Sequence, residues 1–167
     1  QELDFPTLAG KQAIPMTIEM YGLQLLRLTR HDIELVRYWR NSEHLRQYMH
    51  HTEHITEKQQ QKWFQSVNNI NNYYFVIQYE GKKIGLVFLK EIDYEKGTAQ
   101  PGIFIWDEKY FESIAAAIAL IVISEIAWIF FRLEKLHFHV FKNNKRAIDN
   151  YKRLGGEIIS EVQGRTL

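Results

Sequence analysis

The chain has 167 residues, no cysteine, and 21 basic against 20 acidic side chains, for a net charge of +1. Disulfides, thiol nucleophiles and thiolate metal sites are thereby excluded, and so near-neutral a chain offers no basis for broad electrostatic binding of nucleic acid. With 46% hydrophobic and 25% charged residues, the length suits one globular domain with a full core.

Residues 1–20 are read as an N-terminal extension or a non-native remnant ahead of a single domain over residues 21–167; the first 15 lack the apolar core of a signal peptide. Tyr21–Thr29 alternates and predicts a first strand. Arg30–Arg40 sets Ile33, Val36 and Trp39 at helical spacing, with Asp32 near the start and Arg40-Asn41 at the end. Ser42–His51 reads as a second short helix or an irregular loop. Thr56 and Gln59 form a capping box for a helix over Glu57–Val67, with Trp63 and Phe64 inward. Asn68–Asn72 turns the chain into a strand over Tyr73–Tyr79; Glu80-Gly81-Lys82-Lys83 then makes a hairpin to Ile84–Lys90. After a turn at Lys96-Gly97, Thr98–Trp106 is a further strand in which Pro101-Gly102 suggests a bulge.

Asp107–Glu112 leads into Ser113–Phe131, a run apolar nearly all round. It approaches transmembrane length, but Ser124 and Glu125 fall inside it, and a charge there is costly in lipid. A helix buried between a sheet and other elements explains it better, so no membrane partner is expected.

The next stretch alternates Leu136, Phe138 and Val140 with His137, His139 and Phe141, which predicts a strand. Asn143 and Asn144 supply a corner and an N-cap, Ala147, Ile148, Tyr151 and Leu154 recur at helical spacing, and Gly155-Gly156 stops the helix. Asn144 and Tyr151 are seven apart and share a helix face. Glu157–Val162 can form one more strand. This order predicts an α+β fold, one mixed sheet with helices on both faces.

Asn144-x-x-Ala147-Ile148-x-x-Tyr151-x-x-x-Gly155, within this element order over residues 21–160, resembles the late motif of the Gcn5-related N-acetyltransferases, the GNAT superfamily. The resemblance implies a mostly antiparallel mixed sheet with splayed parallel central strands, acetyl-CoA as cofactor, and acetyl transfer to a primary amine. It assigns Asn144 and Ala147 to holding coenzyme A, and Tyr151 to protonating the departing thiolate. A tyrosine pKa near 10 suits that donor role. Ile103, Phe104 and Ile105 match the strand that pairs with the pantetheine arm. Tyr110, Phe111, Glu112, Ser113, Ile114 and Ala115 occupy the pyrophosphate loop at a helix N-terminus. That loop departs from the family's glycine pattern, since no glycine lies between Gly102 and Gly155 and Glu112 adds a negative charge. A non-catalytic GNAT-like binding module is therefore the alternative expectation.

The candidate bases for the attacking amine are Glu91, Asp93, His50 and His51, and no spacing singles one out. Gln100 stands near where some family members place a glutamate and can position water. His44, His50, His51 and His54 cluster, but without an HExxH pattern or cysteine no metal site is expected. Arg40-Asn41, Met49-His50 and Gln61-x-Trp63-Phe64 resemble the sugar-nucleotide N-acetyltransferases within the superfamily. That resemblance implies an acceptor pocket of Arg40, Asn41, Arg46, Met49 and His50, with Trp63 or Phe64 stacking on a base. The expected acceptor is an amino-sugar nucleotide; the alternative is a protein N-terminal amine, as in the ribosomal-protein N-acetyltransferases. Few residues follow the last helix, so residues 12–20 or a second copy of the chain are expected to fill the final sheet edge, the latter giving a homodimer. The implied location is cytoplasmic.

Overall fold

The protein was analysed as a computed structural model, which describes residues 16–46, 53–140, 142, 144–153 and 155–158. The chain divides into two compact units, Gln1–His137 and Phe138–Leu167.

The first unit is built on a six-stranded sheet in simple sequence order. Its strands are β1 (Thr17–Met20), β2 (Leu23–Arg27), β3 (Tyr73–Tyr79), β4 (Lys82–Asp93), β5 (Thr98–Ile105) and β6 (Lys135–Leu136). Neighbours are antiparallel except β5 and β6, which are parallel. Two tight hairpins set the register. Tyr21 and Gly22 have φ of 54° and 74° between the paired residues Met20 and Leu23, and Glu80 and Gly81 have φ of 48° and 75° between Tyr79 and Lys82. Two successive residues with positive φ match the twist of the strands they join. The strand expected over Tyr21–Thr29 therefore begins two residues later, because Tyr21-Gly22 is the turn.

Strand alternation gives the sheet two apolar faces. On one face Leu23, Leu25, Phe75, Ile77, Val87 and Leu89 pack with Ala115, Ala119, Val122 and Ile123 of α4 (Ile114–Glu125). On the other, Val76, Leu86 and Trp106 pack with Ile33 and Val36 of α1 (Ile33–Asn41) and Leu45 of α2 (Glu43–Arg46). Trp63 and Phe64 of α3 (Glu57–Val67) join that second cluster. α3 starts on the expected capping box: Thr56 Oγ1 accepts from Gln59 N–H, and Gln59 Oε1 accepts from Thr56 N–H at 2.8 Å. The long apolar helix is shorter than its sequence run, passing into a π-helical turn over Ile126–Phe130 that ends as Phe131 N–H donates to Ile126 C=O at 3.1 Å. Among the described residues no helix is long and apolar enough to cross a membrane.

Four expectations about the sheet are corrected. Pro101-Gly102 is not a bulge: Leu89 pairs with Pro101 and Phe88 with Gly102 in regular register. Gly102 is small because Phe88 lies over it; a Cβ there would stand 2.4 Å from the ring. The irregularity lies across the ladder in β4, where the step from Lys90 to Asp93 spans one residue more than the facing step from Gln100 to Thr98. The strand expected over residues 136–141 is a two-residue β6, and 137–140 are not strand. Thr17–Met20 pair with β2 at the opposite edge of the sheet and do not fill the edge beside β6, while residues 12–15 lie outside the described residues. Of the expected Glu157–Val162 strand, Glu157 and Ile158 are not strand and the rest lies outside the described residues.

In the second unit, α5 (Lys145–Arg153) ends on glycine. Gly155, with φ of 87°, donates its N–H to Lys152 C=O at 3.0 Å, and Gly156 donates to Tyr151 C=O at 2.8 Å. This paired pattern satisfies the carbonyls that a helix end leaves open.

Candidate active site

Two backbone features of the first unit suit a ligand that carries both an extended arm and an anion. β6 meets β5 only at Thr98 and Ala99, with His137 N–H donating to Ala99 C=O at 2.9 Å. Alternation turns the polar groups of Pro101, Ile103 and Ile105 to the same side as those of Ala99, where no further strand pairs among the described residues. Proline sits there without breaking a ladder bond. The side chains of Ile103 and Ile105 pack on the α4 face and Phe104 on the α1 face, so the open edge is main chain.

The second feature is the start of α4. Ser113 caps it: Oγ accepts from Ala116 N–H at 3.4 Å and donates to Tyr110 C=O at 2.9 Å. The N–H groups of Ile114 and Ala115 precede the first intrahelical bond and point out of the helix end. Ala115 is fully buried and Ile114 is 69% exposed, so backbone dominates this end. A helix N-terminus of this kind favours an anion by its dipole and its open donors. The Tyr110 side chain is buried in the core, edge-on to Tyr79, with Lys109 Nζ 5.5 Å over its ring. Phe111 packs into the α1-side cluster, and Glu112 is exposed beside the cap.

A cluster of aromatic and charged side chains lies on the opposite sheet face. Tyr74 of β3 stacks on Phe88 of β4 at 4.8 Å and meets Trp63 of α3 edge-on at 5.2 Å. The Arg40 guanidinium lies 5.7 Å over the Trp63 ring. No carboxylate pairs with Arg40 among the described residues, and burial holds its pKa below the usual arginine range, against the pull of Tyr74. A guanidinium does not escape burial by losing its proton, so such a position favours an anionic partner. Burial also pushes the Tyr74 hydroxyl up to about 12, with Arg40 lowering it and Glu91 raising it. Arg40 and Glu91 thus both act on Tyr74.

Glu91 reaches this face through the β4 irregularity. Leu89 and Ile92 point into the α4-side core. With strict alternation residue 91 would point there too and Ile92 would face away. The extra residue lets both Lys90 and Glu91 stay out of that core. Glu91 takes up φ of 53° to do so, a conformation that costs a non-glycine residue roughly 1–2 kcal/mol. Its carboxylate accepts from Gln100 Nε2 and stands 3.7 Å from Lys90 Nζ.

The other expected site residues divide. Asn41 has a structural use: Nδ2 donates to Ile55 C=O and Oδ1 accepts from Ile55 N–H, both at 2.8 Å, which ties the end of α1 to the start of α3. Asp93 is a turn residue; it accepts from the N–H groups of Glu95 and Lys96 and from Lys96 Nζ at 3.2 Å. The Lys96 hydrogen bonds hold its pKa below the usual carboxylate range, which suits a base poorly. Arg46 ends α2, and Phe64 packs beside Trp63. Met49, His50 and His51 lie outside the described residues, and His44 stands 3.9 Å from Glu108. In the second unit Tyr151 packs on Phe138 with ring centres 4.1 Å apart, and burial raises its pKa. Asn144 precedes α5 and its C=O accepts from Ile148 N–H at 3.2 Å; Ala147 lies in α5. Sequence reasoning missed Tyr74 and Phe88. Tyr74 is the middle of three consecutive aromatics and Phe88 a single aromatic in an apolar run, which plain core strands also show.

A family model described as "Acetyltransferase (GNAT) domain" matches residues 23–157. No curated protein matches the chain. Among solved structures, a spermidine N-acetyltransferase from Vibrio cholerae in complex with CoA and spermine superposes with a TM-score of 0.72 at 21% identity, covering 81% of each chain. A dodecameric spermidine N-acetyltransferase from the same organism, in an intermediate state, superposes with a TM-score of 0.66 at 20% identity over 86% of each chain.

Proposed function

This chain belongs to the GNAT acetyltransferase family and transfers acetyl from acetyl-CoA, and we propose that its acceptor is a primary amine on an anionic molecule, an amino-sugar nucleotide. The observation carrying this reading is Arg40, a half-buried guanidinium over Trp63 with no carboxylate partner among the described residues. A diphosphate satisfies that charge by accepting from the fork of guanidinium donors, and Trp63 and Tyr74 offer aromatic surface to the rest of the molecule. A polyamine, the ligand class named for the Vibrio cholerae relatives, would set a second ammonium against Arg40.

Acetyl-CoA supplies the acetyl group activated as a thioester. The open main chain of Ile103 and Ile105 is suited to the pantetheine arm, and the N–H groups of Ile114 and Ala115 to the pyrophosphate; small residues Ala115–Ala117 stand where the family carries glycine. Glu91 is the proton acceptor for the attacking amine, directly or through water held by Gln100. As the nitrogen bonds to the thioester carbonyl carbon, the C–S bond breaks and the amine proton passes toward Glu91. Tyr151 returns a proton to the departing sulfur, a role that rests on its place in the family motif with Asn144. Its raised pKa keeps the hydroxyl protonated at neutral pH.

Arg40→Met tests the acceptor reading. Loss of a charged hydrogen bond is worth about 1.5–3 kcal/mol, so KM for a UDP-amino sugar should rise at least about tenfold with KM for acetyl-CoA unchanged. An unchanged acceptor KM contradicts the reading.

A further inference from the structure

The β4 irregularity that presents Glu91 is gripped by the asparagine-rich turn before β3. Ile92 N–H donates to Asn71 C=O at 2.9 Å, and Asn71 Nδ2 donates back to Ile92 C=O at 2.8 Å. The Glu91 N–H, displaced from the ladder, donates to Asn72 Oδ1 at 3.1 Å. Asn72 is itself fixed: its Nδ2 donates to Asn69 Oδ1 at 2.9 Å, and its C=O accepts from Arg27 at 3.2 Å. Arg27 also donates to Asn69 C=O at 3.3 Å and lies 4.0 Å over the Tyr73 ring. An ordinary turn between a helix and a strand needs none of this. Four side chains spend their hydrogen bonds on holding one residue in an unfavourable backbone conformation, and such over-determination is what lets strain persist where a side chain must be aimed.

We propose that Asn72 is a positioning residue for acetyl transfer: through the Glu91 N–H it holds the β4 bulge in the one geometry that sends the Glu91 carboxylate to the acceptor face. This rests on the reading of Glu91 as proton acceptor. The charged and titratable groups that act with that carboxylate are Lys90 on its own strand and Tyr74 on the neighbouring β3, and neither holds the backbone of the bulge.

The test compares Glu91→Gln, Asn72→Ala and the double variant, using acetyl-CoA with a UDP-amino sugar and with spermidine and following the faster acceptor. A positioned base is worth 10²–10⁴-fold, and Glu91→Gln should lose about 100-fold at neutral pH. Asn72→Ala should lose about tenfold of that same contribution, with little change in acceptor KM. Both deficits should shrink at high pH, where the amine arrives unprotonated and solvent hydroxide can take up the proton it sheds on attack. In the double variant Asn72→Ala should cost nothing beyond Glu91→Gln, because it acts through Glu91. A pH-independent deficit, or one that multiplies with that of Glu91→Gln, marks Asn72 as merely structural and overturns the proposal. Full activity in Asn72→Ala overturns it as well. Full activity in Glu91→Gln alone removes the base reading, a separate failure visible in that single variant. Asn72→Ser gives the same readings should the alanine variant not fold.

Discussion

The packing of Tyr151 suits it to the donor role proposed for it. Its ring lies on Phe138, and the burial that this contact brings raises the hydroxyl pKa. A donor to a thiolate must be protonated at the working pH, so the shift runs in the useful direction. Tyr151→Phe keeps the ring contact and removes the proton. Turnover should fall by about 10²–10⁴-fold while acetyl-CoA still protects the protein against thermal unfolding; unchanged turnover would remove Tyr151 from the mechanism. At this scale the sequence was an uneven guide. Tyr151 and Arg40 could be named from motif and residue type. Asn41 and Asp93 look equally functional in sequence, yet both are consumed by local hydrogen bonds, Asn41 on Ile55 and Asp93 on Lys96. Whether a polar residue is free or already engaged depends on contacts that spacing does not encode. Glu91 was one of several candidate bases, and what separates it from Asp93 is a positive φ that belongs to no sequence pattern.

Elements with strong local signals were legible. The Thr56–Gln59 capping box and the Glu80-Gly81 turn fixed α3 and the β3–β4 hairpin from their own residues. Elements set by partners across the sheet were not. Pro101-Gly102 suggested a bulge by composition, but the proline faces an open edge and the glycine makes room for Phe88. The extra residue sits opposite, in a run (Lys90, Glu91, Ile92) with no glycine or proline to mark it. The joint between α1 and β4 gives a test at this scale. Asp32, at the start of α1, accepts from Thr29 Oγ1 at 2.8 Å and from Lys83 Nζ at 2.7 Å. Burial works to raise its pKa, and the Lys83 and Thr29 bonds outweigh that and lower it. A depressed folded-state pKa means stability that is complete above the unfolded value near 3.9 and lost as pH falls through the folded one. The unfolding temperature should therefore drop more steeply below about pH 4 in the native protein than in Asp32→Asn. Parallel curves would show that the pair contributes nothing to stability.

At the scale of the whole molecule, the sheet separates two tasks. On the proposed reading, the open edge of β5 and the start of α4 offer backbone to the cofactor, and the α1 and α3 face offers charge and aromatic side chains to the acceptor. The family could be read from sequence because its late motif and its element order agree over most of the chain. The acceptor could not, because it depends on which charges remain unpaired once the fold has formed. That dependence makes the central claim directly measurable. Equal concentrations of a UDP-amino sugar and spermidine are incubated with the protein and limiting acetyl-CoA, and the products are weighed by mass spectrometry. Arg40, with no carboxylate partner among the described residues, predicts acetylated UDP-amino sugar in excess, with the preference lost in Arg40→Met. Acetylspermidine as the main product, insensitive to Arg40, would contradict the account.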